Sequence, residues 1–146
     1  MDQAQIEKLI TSTFGFLFSR EEKTSLIMPQ NSHEYGVYKI ISKCGTFKIT
    51  LDKYLCSMVF WPETGKEEDA LPVELLYLYY KYDGLVPSKK DMQHFHSENV
   101  NIEKCFQQKR DILLHINRLF QESECPWWGL ACSFSKKWIE VELGMV

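Results

Sequence analysis

The spacing of apolar residues changes along this chain from a period of two to a period between three and four. Residues 46–52, TFKITLD, place Phe47, Ile49 and Leu51 on one face and polar side chains on the other. That alternation predicts an antiparallel strand with one buried face. Residues 102–120 instead carry apolar side chains at helical steps, interrupted by Lys109, which predicts an amphipathic helix. The chain therefore has to combine a sheet with at least one long helix.

The flanking segments extend both patterns. Residues 35–42 and 54–60 are rich in β-branched and aromatic side chains and predict two further strands, and residues 25–29 allow a short strand that Pro29 confines to an edge. The opening DQAQIEKLITSTFGFLFS predicts a first helix capped by Asp2. The predicted fold is α+β, with an N-terminal helix, a small antiparallel sheet of three to four strands, and a mostly helical C-terminal half packed on it.

The end of the chain allows two interpretations. A helix that begins at Pro126 would bury one stripe of apolar side chains, namely Trp128, Leu130, Phe134 and Trp138. The final KKWIEVELG also alternates as a strand does. The sequence favours a helix over residues 126–136 and leaves the tail open.

Length and charge narrow the classes of function. With 146 residues the chain has the size of one domain, and we expect residues 1–146 to form a single domain. The formal net charge of −3 gives no basic excess with which to displace counterions from phosphates. A nucleic-acid partner is therefore not expected.

Cysteine usage and hydropathy predict a compartment. Five cysteines are scattered without CxxC spacing, which favours a reducing environment and thiols used as small apolar residues. The acidic N-terminus is unlike a signal peptide, and no stretch approaches the length of a membrane-spanning helix. These features predict a cytoplasmic protein that does not associate with membranes.

Residues 69–84, DALPVELLYLYYKYDG, are unusually rich in leucine and tyrosine. Read as a helix between Pro72 and Gly84, the segment is apolar almost all round and has to be covered on most of its circumference. A central position between the sheet and the 102–120 helix satisfies that requirement. Because a buried phenol needs a hydrogen-bond partner, some of the tyrosines can instead reach a partner surface, and both interpretations stay open.

An acidic segment precedes this helix and suggests where a partner binds. Residues 62–74 hold five acids against one lysine. Exposed acids next to tyrosine and tryptophan are typical of protein interfaces, and opposite charge speeds the encounter with a basic partner. The predicted partner-binding residues are Glu63, Glu67, Glu68, Asp69, Tyr79, Tyr82 and Trp127.

The chain carries no motif for catalysis or for a cofactor. There is no GxSxG, no phosphate-binding GxxxxGK[ST] and no GxGxxG. The most ligand-like feature is the pair His94 and His96, with Glu98 as a possible third ligand, since histidines two apart on a strand share one face. No second ligand cluster lies near them in sequence. We expect no catalytic residue, no bound metal and no cofactor.

In overall plan the chain resembles the small immunity proteins of bacterial polymorphic-toxin and contact-dependent inhibition systems. The likeness covers residues 71–128, with the Leu/Tyr-rich helix LPVELLYLYYKYD, the helix CFQQKRDILLHINRLF and a tryptophan soon after it in ECPWW. The similar families also begin with a helix and a small antiparallel sheet. The resemblance implies a single-domain protein that blocks a nuclease or another toxin by binding it, without chemistry of its own.

The expected function is therefore that of a non-enzymatic immunity protein, which neutralises a cognate, basic toxin domain, for example a nuclease, in the cytoplasm. Two alternatives follow from the same residues. One is a small metal-dependent hydrolase that uses His94 and His96, and the other is an adaptor subunit of a larger complex.

Overall fold

The helices and strands are arranged as an α+β fold, as predicted, in a computed structural model that describes residues 2–17, 36–52, 55–93, 101–121 and 124–145. The strand predicted at residues 25–29 lies outside these ranges. In chain order the elements are α1 (Gln3–Phe14), β1 (Gly36–Ile41), β2 (Gly45–Leu51), β3 (Cys56–Pro62), β4 (Leu71–Pro72), α2 (Val73–Lys81), α3 (Ile102–His115) and α4 (Trp128–Glu142).

The four described strands form one antiparallel meander in the order β1-β2-β3-β4. Phe47 in β2 lies opposite Ile40 in β1 and Phe60 in β3, so the alternating apolar side chains of the three long strands share one face. That face is buried, and the lysines of the strands lie on the other face. The fourth strand is the short Leu71–Pro72 segment, which pairs with Val59 and Phe60 just before α2 begins.

The N-terminal helix begins as the sequence predicts. The Asp2 carboxylate accepts from the Gln5 backbone N–H at 2.8 Å, and the Gln5 side chain accepts from the Asp2 backbone N–H at 2.8 Å. This capping box satisfies two backbone donors that would otherwise lack partners. Ile6, Ile10 and Phe14 are the buried stripe of the helix. Its apolar stripe is what attaches α1 to the core.

Lys109 interrupts the apolar stripe of α3 because it pairs with another helix. Its side chain is buried, with 7% exposure, and its ammonium group donates to a carboxylate oxygen of Glu74 on α2. Removing a charge from water is costly unless an opposite charge is close by. Lys109, the charged residue that breaks the apolar pattern, is therefore a contact between α3 and α2.

Two cysteines differ from the expectation that all five are thiols. Cys56 of β3 and Cys105 of α3 form a disulfide across a sequence separation of 49 residues. Spacing in the sequence cannot reveal such a pair, because the partners meet only once α3 packs on the sheet. Cys44, Cys125 and Cys132 are thiols rather than members of a disulfide.

The C-terminal segment is a helix throughout, which resolves the open choice for the tail. Its buried residues are Ala131, Phe134, Ser135 and Trp138. The prediction that Leu130 is buried was wrong, since its side chain is 66% exposed. Trp128, also predicted to be buried, is half-buried. Phe134 and Trp138 are buried as predicted, and Ala131 and Ser135 complete the buried stripe in place of Leu130.

Two hydrophobic clusters meet at α2. The first, which we call the main core, lies between the inner face of the sheet and the helices α1, α2 and α3, and includes Phe14, Phe47, Phe60 and Phe106. The second, which we call the outer cluster, consists of Leu78, Met92, Phe134 and Trp138, with half-buried aliphatic and tyrosine side chains around them. Helix α2 contributes Val73 and Leu76 to the main core and Leu78 to the outer cluster, so it lies centrally, as its composition requires.

Candidate partner-binding surface

The acidic segment, which we define as residues 63–69, follows β3 directly and leads back into β4. The Glu63 backbone N–H donates to the carbonyl oxygen of Cys44 at 3.2 Å, which holds the start of the segment against the turn between β1 and β2. A single 3-10 turn, Glu67–Asp69, ends it. In the part of the chain that the structure describes, Glu63, Glu68 and Asp69 are exposed and make no ion pair. Three carboxylates are thus available to a partner.

Glu67 has a different role from its neighbours. Its carboxylate lies 3.0 Å from the Lys39 ammonium and 3.9 Å from that of Lys48. These lysines are directly opposite each other on β1 and β2, where like charges repel. A hydrogen bond from Lys39, with the nearby charge of Lys48, lowers the pKa of Glu67 below its ordinary value. Glu67 therefore links the acidic segment to the outer face of the sheet.

The three predicted aromatic anchors are half-buried and already have contacts within the chain. The indole N–H of Trp127 donates to the Leu119 carbonyl oxygen at 2.8 Å. The Tyr79 ring lies 6.3 Å from the Trp127 ring, and burial raises the pKa of the Tyr79 hydroxyl. The Tyr82 ring lies 5.8 Å from that of Trp138. All three therefore contribute to packing, and only part of each side chain is accessible to a partner.

One end of the acidic segment, at Asp69, lies near α4. Asp69 is near enough to Cys132 of α4 that its charge, second to burial, raises the pKa of that thiol. Trp127 directly precedes α4, so the structure brings it to the same end of the helix. Tyr82 packs at Trp138, roughly 16 Å further along the helix at 1.5 Å per residue. The predicted residues therefore belong to two places, with Tyr82 separate from the acids.

A groove that sequence patterns do not predict lies along α4. A cavity of about 350 Å³ separates the chain after α2 from the first turns of α4. Its lining consists of Tyr79, Asp83, Gly84, Leu85, Val86, Leu130, Ser133, Phe134 and Lys137. Leu85 and Leu130 are 76% and 66% exposed, although large aliphatic side chains usually favour the interior. The groove combines apolar walls with one acid and one lysine.

A tight turn forms one side of this groove. Asp83 and Gly84 have positive φ values of 51° and 78°, and the Gly84 N–H donates to the Tyr79 carbonyl oxygen at 3.0 Å. Glycine adopts this left-handed conformation without steric cost, and aspartate tolerates it better than most residues. The turn ends α2 and directs Leu85 outward, which explains the exposure of that side chain.

The metal-binding alternative falls on a part of the chain that is not described. His94, His96 and Glu98 lie outside the described residues. Within residues 2–17, 36–52, 55–93, 101–121 and 124–145, there is no group of three or more histidine, cysteine, aspartate or glutamate side chains placed to hold a metal ion. No helix in those ranges is long and apolar enough to cross a membrane.

Comparison with known proteins adds nothing to these observations. No protein-family model matches the chain, and the searches of curated proteins and of solved structures found no significant match. The candidate site therefore rests on its own geometry.

Proposed function

We propose that this protein is a non-enzymatic immunity protein that neutralises a toxin domain by binding it. Within the described ranges, Glu63, Glu68 and Asp69 are exposed carboxylates without ion pairs on one short segment, and this set is the observation that carries the proposal. Charges that only increase solubility are usually interspersed with opposite ones. A local excess of one sign, close to exposed apolar side chains, suits a partner of opposite charge.

The partner we propose has a basic surface, as proteins that act on nucleic acids generally do. Opposite charges steer two proteins together and raise the association rate, with a dependence on salt. Glu68 and Asp69 are adjacent on an exposed turn and can meet lysine or arginine side chains at the rim of an interface. Glu67 contributes less, because its charge is already shared with Lys39 and Lys48.

Apolar contact next to the acids would come from α4. Gly129 and Leu130 are both exposed. A Cβ atom added to Gly129 would have no heavy atom from outside the helix within 4 Å, so the surface at this turn is open. A partner that covers the acidic segment and crosses this turn of α4 reaches Leu130. Buried aliphatic and aromatic contacts surrounded by charged groups are the usual anatomy of a specific interface.

The resemblance to immunity proteins supplies the biological setting of the proposal. Those proteins act in the cytoplasm of the cell that makes the toxin, and we propose the same location for this chain. The inhibitor acts by occupying the toxin, so its own residues need no reactive group. The outline of the fold, with one helix, a small antiparallel sheet and further helices, is compatible with that role.

The gene immediately upstream in the source genome provides the first test. We expect it to encode a large secreted protein with a variable C-terminal domain. Expressed alone in the cytoplasm of a bacterial host, that C-terminal domain should stop growth, and co-expression of this chain should restore growth and yield a complex of the two. An unrelated operon, or toxicity that persists despite a soluble inhibitor, would overturn the proposal.

A matched pair of variants tests whether the acidic segment makes the contact. Glu68→Lys/Asp69→Lys and Glu103→Lys/Asp111→Lys change the net charge equally, and all four residues are exposed. Only the first pair lies beside α4, and it should lose protection against the toxin. Equal loss in both variants would show that overall charge, rather than this segment, determines binding.

A further inference from the structure

Two of the three free cysteines lie close together, away from the disulfide. Cys44 occupies the turn between β1 and β2 and is 1% exposed. The hydroxyl oxygen of Ser42 lies 3.3 Å from its sulfur, and the same hydroxyl donates to the Gly45 carbonyl oxygen at 2.9 Å. The thiol is therefore fixed in a tight turn rather than packed as a simple apolar side chain.

Cys125 reaches this turn from the opposite end of the chain. Its sulfur lies 3.8 Å from the Cys44 carbonyl oxygen, across 81 positions of sequence, and its side chain hydrogen-bonds to that of Cys44. Cys125 is only half-buried, so a small reagent can reach it. It lies just before α4, and the contact therefore connects the first hairpin with the C-terminal helix.

The surroundings of Cys44 favour the reactive thiolate. The hydrogen bond from Cys125 is the main cause that lowers the pKa of the Cys44 thiol to about 7, and the Ser42 hydroxyl contributes in the same direction against the effect of burial. At Cys132, burial and the charge of Asp69 raise the pKa instead. Cys132 therefore serves as the control, because its surroundings raise the pKa of its thiol instead of lowering it.

We propose that Cys44 and Cys125 form a redox-active dithiol, which closes to a second disulfide when it meets a small-molecule disulfide. Cys125, the sulfur that a small reagent can reach, gives up its proton and attacks one sulfur of the reagent, which forms a mixed disulfide and releases one thiolate that takes the proton. The Cys44 thiolate then attacks the sulfur of Cys125 and releases the second. The two cysteines lose two electrons and two protons, and the reagent leaves as two thiols.

The new bond would anchor the start of α4 to the sheet beside the acidic segment. The Cys44 carbonyl oxygen that receives Cys125 also accepts the backbone N–H of Glu63. Oxidation would therefore stiffen the place where α4, the first hairpin and the acidic segment meet. The inference stands on the thiol geometry alone and does not depend on the proposed toxin partner.

Thiol counting with oxidised glutathione tests the proposal. The untreated protein has three free thiols, at Cys44, Cys125 and Cys132. After oxidation at neutral pH and quenching in acid, alkylation in denaturant should find one free thiol, at Cys132. Peptide mapping without reduction should recover one cross-linked peptide that contains Cys44 and Cys125, lighter than its parts by two hydrogen atoms.

Single substitutions distinguish a specific pair from general thiol reactivity. Cys132→Ser should form the new cross-link as the natural protein does, whereas Cys125→Ser should form no internal cross-link besides the Cys56–Cys105 disulfide. Cys44→Ser should stop at a glutathione adduct on Cys125. Three unchanged thiols, a lasting adduct on Cys125 with Cys44 still free, or a cross-link that involves Cys132 would each overturn the proposal.

Discussion

The main core and the outer cluster differ in how completely they are closed. Phe14, Phe47 and Phe60 in the main core are all fully buried, and the Cys56–Cys105 disulfide joins the sheet to α3 beside them. The outer cluster is small, its edges are half-buried tyrosines, and its Phe134 lines the open groove. The three phenylalanine rings of the main core are out of reach of solvent, whereas the outer cluster is open to solvent along α4.

This difference separates what stabilises the fold from what is available for binding. A closed apolar interior contributes stability but presents nothing to another molecule. An open cluster contributes less stability, since part of its surface stays wet, and its exposed neighbours Leu85 and Leu130 can still be covered by a partner. We infer that the two functions are divided between the two sides of α2.

The largest expected effect compares one phenylalanine from each region. Phe60→Ala removes a fully buried ring that contacts Phe47, Phe120 and Trp127, and should lower the free energy of unfolding by about 3–5 kcal/mol. Phe134→Ala should cost roughly half as much, because water from the groove can fill the space. Urea unfolding of both variants measures the difference, and equal losses would remove the distinction between the regions.

The second largest effect on stability should come from removal of the Cys56–Cys105 disulfide. Cys56→Ala/Cys105→Ala removes a cross-link between residues 49 positions apart. It should lower the free energy of unfolding by roughly 2–4 kcal/mol, because the unfolded chain is no longer constrained. Thermal unfolding with and without a reductant gives the same comparison on the natural protein. Cys132→Ala is the control outside this bond and should unfold close to the natural temperature. A reductant that leaves the unfolding temperature unchanged would show that the bond does not stabilise the main core.

The outer face of the sheet provides a smaller, pH-dependent effect. Because Lys39 and Lys48 lower the pKa of Glu67 in the folded state, its contribution to stability is present above the ordinary glutamate pKa of about 4.3 and is lost as the pH falls through the lower folded value. Solvent screening of this exposed group keeps the contribution to about 0.5 kcal/mol or less. The free energy of unfolding of Glu67→Gln should therefore be lower than that of the natural protein at neutral pH, and the two values should converge in acid. If the difference in the free energy of unfolding stayed constant from neutral to acidic pH, the effect would not come from the charge of Glu67.

The smallest effect on stability should come from the groove. Leu85→Ser and Leu130→Ser replace side chains that are mostly exposed, so each should change the free energy of unfolding by about 0.5 kcal/mol or less. Binding of the proposed partner should nevertheless weaken with Leu130→Ser, because Leu130 is an exposed apolar side chain on α4. Calorimetry on the two variants measures stability and affinity together. A Leu130→Ser protein that is destabilised like a core variant would contradict the exposed position of this residue.

The parts of the fold that the sequence predicts are those with strong local periodicity. Strand β2 and helix α3 follow their apolar patterns, and the cap at Asp2 follows from local backbone chemistry. Lys109 shows the limit, since the pattern marks it as an exception but only the packed structure supplies Glu74 as its partner. The spacing of apolar residues along the sequence does not show which residues packing brings together.

The candidate site was harder to predict for the same reason. The acidic segment is visible as composition, but the engagement of Glu67 with two lysines depends on the register of β1 and β2. The helical pattern predicts Phe134 and Trp138 in the interior correctly, but it places Leu130 there instead of Ala131. A weak periodicity with several aromatic residues does not determine which face of a helix is buried, and the groove beside Leu130 could not be anticipated.

The association rate tests the central claim most directly. Stopped-flow mixing of this chain with the toxin domain encoded upstream, at several salt concentrations, should give a fast rate that falls as salt is added. Glu68→Lys/Asp69→Lys should slow association by roughly tenfold or more at low salt and flatten the salt dependence, while Glu103→Lys/Asp111→Lys should change both much less. Identical rates for the two variants, or no association with the natural chain, would contradict a binding function centred on the acidic segment.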